Sequence, residues 1–204
     1  MILVAAALAG ALAGSAPSIA VHLTHRQQTG APDRSMRPML WAALEVAGGM
    51  VAAFAGRLVA GDVGGLVAGA SAVLADIMVP SLWPRDDDPR ASAGPGGGLG
   101  MAGGALVVLW PVGALVWAAA LTLTYRMTHN LSRAVVTSAL VLLAVVAAWG
   151  WFGLANFWGV ESGPGLMLAV LTMTMLLGFR FLRDPRTGEP GEGASDQMGW
   201  STPE

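Results

Sequence analysis

Three long stretches of this chain carry no charged side chain and a fourth carries only Arg180, near its end; these four limit what it can fold into more than any other feature. They run from Met1 to about Thr24, from Met101 to Tyr125, from Ala134 to about Trp158, and from Gly165 to about Leu182. Crossing roughly 30 Å of hydrocarbon takes about 20 consecutive apolar residues in a helix, and only helices and closed barrels satisfy their backbone groups in lipid. The spacing therefore predicts an all-α, polytopic integral membrane helix bundle.

Two further stretches are less clean. Residues 38–60 contain Glu45 and Arg57, which are tolerable if Arg57 snorkels and Glu45 faces other helices. Residues 63–83 are rich in Gly and Ala, interrupted by Asp76 and closed by Pro80 and Pro84, and read as either a span or a re-entrant segment. The expectation is five or six transmembrane helices within a membrane domain over 1–182. A flexible loop is expected over 84–100, where "DDD" meets Pro and Gly, and a disordered tail over 183–204. Trp200, the one large aromatic of that tail, reads as incidental. A cleaved signal peptide is disfavoured because the first segment lacks a basic start and its apolar run is too long.

Only 12% of the residues are charged and the formal net charge is −2. No basic field draws such a chain to nucleic acid, so the lipid bilayer and other membrane subunits are the expected partners. With no Cys there is no disulfide, thiolate metal site or cysteine nucleophile, and no cofactor can be assigned. All eleven basic residues are Arg and Lys is absent, which with the Ala and Gly bias points to a GC-rich bacterial gene.

Arginine placement bears on topology, because cytoplasmic loops collect basic residues. Six spans divide the arginines five against six. If 63–83 does not cross, the division becomes eight against three, favouring five spans with the C-terminus in the cytoplasm, at the bacterial inner membrane.

Rows of small residues four apart let helices approach closely. Gly10 and Gly14 form one row, and Gly61, Gly65 and Gly69 form a longer one. Among embedded acids, Asp76 and Glu45 are candidates for a proton or ion site, and Asp62 reads first as a helix N-cap. His22 and His25 share a face but lack a third ligand. Trp41, Trp83, Trp149, Trp151 and Trp158 read as interfacial belts, and Pro111 should kink its helix and free a carbonyl.

In order, "LAGALAGSAPSIAVHLTHR", "RPMLWAALEVAGGMVAAFAGRL" and "ADIMVPSLWP" resemble the front half of the type 4 prepilin peptidases, over about residues 1–84. The resemblance implies a polytopic aspartyl protease with Asp76 at the first catalytic position. The family's second motif, Gly-x-Gly-Asp, does not follow; "VAGDVGG" around Asp62 looks like it but precedes Asp76. That implies a degenerate, inactive relative, or a divergent protease pairing Asp76 with Asp62 from separate helices. Enzymatic activity is thus left open, leaning to none. Three functions stand as expectations: a non-enzymatic subunit or assembly factor of a membrane complex, the divergent protease, and a small ion-coupled transporter using Glu45 or Asp76.

Overall fold

The computed structural model describes residues 1–27, 37–82, 98–156 and 158–183. All regular structure within them is helical: α1 (Ile2–Gln27), α2 (Arg37–Leu82), α3 (Leu99–Leu109), α4 (Pro111–Thr128), α5 (Leu131–Trp151) and α6 (Pro164–Arg183). The helices α2, α5 and α6 are long and apolar enough to cross a membrane.

The 46 residues of α2 are not one rod. At Ala60 (φ −140°, ψ 27°) and Gly61 (φ 63°, ψ −155°) the backbone leaves helical space, the latter in a region that side-chain-bearing residues rarely enter. The chain reverses there. A Cβ on Gly56 would run into the Gly64 carbonyl oxygen, and one on Gly65 would lie 3.1 Å from the Ala53 carbonyl oxygen. Eight residues of continuous helix would hold Gly56 and Gly64 about 12 Å apart, so the two arms are antiparallel. Residues 63–83, expected as a span or a re-entrant segment, largely form the second arm of this hairpin.

The first helix lies on both arms. Gly10 and Gly14 stand against the backbones of Ala68 and Ala72, and a Cβ on Gly48 would sit 3.4 Å from the Ala13 carbonyl oxygen. The expected row at Gly65 and Gly69 also packs, against Ala53 and Leu109 for Gly65 and against Ala105, Leu109 and Met173 for Gly69. Gly61 does not join it. Its Cβ position meets nothing within 4 Å, because Gly61 makes the turn instead.

The expected span over 101–125 is broken in two. Proline cannot donate to the preceding turn, and Trp110 before it is extended (φ −154°, ψ 79°). Here α4 doubles back along α3, placing the Trp117 ring 3.3 Å from the Cβ position of Gly103. The kink expected at Pro111 is thus a reversal, and the Leu109 carbonyl beside it accepts the Val160 N–H at 2.7 Å. That bond ties the α5–α6 connection to the break. The C-terminus of α4 turns through His129 (φ 49°) into α5, whose N-cap Asn130 accepts from the Arg133 N–H at 3.0 Å.

Antiparallel arms give the bundle two ends. At one lie Gln27, Arg37, Leu82, the start of α3, the α4–α5 turn and the end of α6, where the Ser132 hydroxyl donates to the Phe181 carbonyl at 2.6 Å. At the other lie the Ala60–Gly61 turn, Trp110–Pro111 and residues 152–156 and 158–163. The core between them is built on Ala52, Ala72, Val73, Met101, Ala105 and Leu109. The outer surface is apolar too: Leu12, Leu58, Leu115, Leu123, Leu168 and Met175 are each more than half exposed. Such a surface suits lipid and not water.

Candidate functional site

Four polar or charged side chains are buried among the described residues: Glu45, Asp76, Ser138 and Thr174. Ser138 donates to the Val135 carbonyl at 3.0 Å and Thr174 to the Val170 carbonyl at 2.9 Å, so both are satisfied by their own helices. The two acids remain, and the hairpin brings them together. Glu45 stands sixteen residues before Gly61 and Asp76 fifteen after it, so the antiparallel register sets them level, with the Asp76 charge in electrostatic reach of Glu45.

The third helix completes the arrangement. Its N-cap, Gly98, has no side chain to accept the orphan amides of the first turn. Glu45 serves in its place, accepting the Gly100 N–H. A carboxylate at a helix N-terminus also meets the positive end of the helix dipole. Gly100 must be glycine for this contact: a Cβ there would lie 2.6 Å from Glu45 Cβ and 2.8 Å from its Oε2. The Arg180 guanidinium, from the last turn of α6, acts on the same carboxylate. One oxygen is left over, because Glu45 Oε2 is buried and has no hydrogen-bond partner.

Asp62 belongs to the opposite end. It pairs with Arg57 at 2.9 Å, both side chains about one-third exposed, and Arg57 also donates to the Gly159 carbonyl at 3.3 Å. Asp62 and Asp76 ride on one arm, separated by about 21 Å of helical rise. The dyad expected from separate helices is not assembled, because the reversal falls before Asp62 and not between the two acids. The reading of Asp62 as an N-cap gives way to this ion pair across the turn.

Two participants escaped the sequence reading. Gly100 fell in the expected flexible loop, and Arg180, inside the apolar stretch 165–182, entered only the arginine count used for topology. The signal that could have found the acid pair is the near-equal spacing of Glu45 and Asp76 about "AGD". Of the aromatics expected in interfacial belts, Trp151 and Trp158 are exposed at the turn end, together with Phe152. Trp149 instead packs edge-on against Trp110, with ring centroids 5.9 Å apart. The side chains of His22, His25, Trp41 and Trp83, and the tail with Trp200, lie outside the described residues.

No protein-family model, curated protein or solved structure matches this chain.

Proposed function

We propose that this chain is a multipass membrane protein in which Glu45, beside Asp76, takes up a proton or a small monovalent cation, the centre of a small ion-coupled transporter. The observation that carries the proposal is the orphan oxygen of Glu45. A buried polar atom without a partner costs on the order of 1–3 kcal/mol, and more when it is charged. A proton or cation delivered to Oε2 relieves that cost. The site also draws on three separate elements, the α2 hairpin, α3 and α6, so its occupancy bears on how they pack. A subunit reading drew on small-residue rows offered to a partner, but Gly10, Gly14, Gly65 and Gly69 are covered by the chain's own helices.

The arms alternate in direction from α1 to α6, which supports seven traverses, α3 being a short one of about 16 Å. Charge supports the orientation. The positions of Arg26, Arg37, Arg126, Arg133, Arg180 and Arg183 are at one end, and Arg34, Arg85, Arg90 and Arg186 lie in segments attached there. Arg57 alone belongs to the other end. This bias exceeds the eight against three of the five-span reading and supports an arginine-rich, cytoplasmic end carrying the α6 terminus.

The test is infrared difference spectroscopy on the reconstituted protein across a pH step and across a step in sodium. A carboxyl band should change in one of them and vanish in Glu45→Gln. Superimposable spectra for the two proteins would overturn the reading.

A further inference from the structure

We propose, resting on the reading of Glu45 as an ion site, that the ion it takes up is a proton and not a metal cation. The Oε2 atom of Glu45 is sealed, with no space the size of a water molecule beside it. On one side stands the first turn of α3, where a single carbon added to Gly100 would already lie 2.8 Å from that oxygen. One turn on, Met101 is fully buried and its Cε stands 3.1 Å from the Cβ position of Gly48. A metal cation gives up water only for a shell of several oxygens, as rings of backbone carbonyls supply in cation filters. A proton adds no volume and needs one oxygen.

The helix end turned toward Glu45 is also of the wrong sign for a metal. It is the amino end of α3, whereas bound sodium is held by unwound carbonyls and helix carboxyl ends. Arg180, with Arg183 a turn beyond it on α6, adds a full positive charge, and Asp76 adds a negative one from the second arm of α2. No residue of α3 is titratable. On α1 the approach of Ala13 to Gly48 sets Ala16 level with Glu45, and the nearest charged or titratable positions there, His22, His25 and Arg26, begin about 9 Å farther along the axis.

Two carboxylates opposite one guanidinium leave one negative charge uncompensated, which a low-dielectric interior penalises. One proton from the aqueous phase leaves one carboxylate opposite one guanidinium, and only the Oε2–H bond forms or breaks as it comes and goes. With the proton on Oε2, the other oxygen still accepts the Gly100 N–H, so the first turn of α3 keeps its cap in both states.

Infrared difference spectra of the reconstituted protein separate the two ions. At constant sodium, a pH step should produce a protonated-carboxyl band that moves to lower wavenumber in D2O. At constant pH, exchanging choline for sodium should produce none. Glu45→Gln should lose the pH-step band, and Glu45→Asp, which keeps a carboxyl, should displace it and so identifies the group even where the glutamine variant does not fold. A carboxyl change in the sodium step that Glu45→Asp displaces would overturn the proton and leave an ion site standing. A pH-step band unmoved by Glu45→Asp, or no band in either step, would overturn the proton and the ion site together.

Discussion

The Gly100 amide donates to the carboxylate of Glu45, so a side chain from the first arm of α2 caps the first turn of α3. This pair is the point at which the hairpin, the short α3 and the buried acids depend on one another.

Gly100→Ala should lower stability by about 1–3 kcal/mol, the usual cost of overpacking. The added methyl would meet both Cβ and Oε2 of Glu45. Thermal unfolding in detergent, followed by tryptophan fluorescence, measures it. Combined with Glu45→Ala, which removes the Oε2 contact but keeps the Cβ at 2.6 Å, the double variant should fall only slightly short of the sum of the two losses.

Glu45→Ala leaves the α3 amide without its acceptor and should cost about 0.5–2 kcal/mol, as lost caps do. Glu45→Gln retains an acceptor oxygen of the same reach and should cost less. Equal unfolding temperatures for the two variants would mean that the cap contributes nothing.

Gly61→Ala should destabilise by about 1–3 kcal/mol through backbone strain alone. Nothing lies within 4 Å of the added carbon, so no steric clash competes as an explanation. The measurement is again thermal unfolding, with Gly153→Ala (φ 59°), in the α5–α6 connection, as a second residue of the same handedness.

Asp62→Asn should change stability by no more than about 1 kcal/mol, because the Arg57 pair is partly exposed and screened. Its spectra across a pH or sodium step should match the wild type, in contrast to Glu45→Gln.

The chain contains no cysteine, so single cysteines report topology without background. Cysteines at Ser92, His129 and Ser195 should label from one side of the membrane, and one at Glu161 from the other. Labelling of Ser92 and Ser195 from opposite sides would restore the five-span arrangement.

The amino-acid order alone determined that the chain is helical and apolar, because the length of a charge-free run is a local property read directly from the residues. It also singled out Glu45 and Asp76, since ionisable groups in such runs are rare, and it marked Pro111 as a kink. What it left open was which surfaces meet. In a water-soluble helix the apolar stripe names the buried face, but here both core and exterior are apolar: Leu109 is buried and Leu115 is exposed, and nothing in their chemistry tells them apart. Only the tertiary structure decided that the chain reverses at Gly61 and again at Trp110–Pro111. Both reversals rest on backbone dihedrals and close approaches between distant residues. They place Glu45 against Asp76 and beneath α3, hold Asp62 with Arg57 at the far end, and bring Arg180 to a carboxylate 135 positions earlier in the chain.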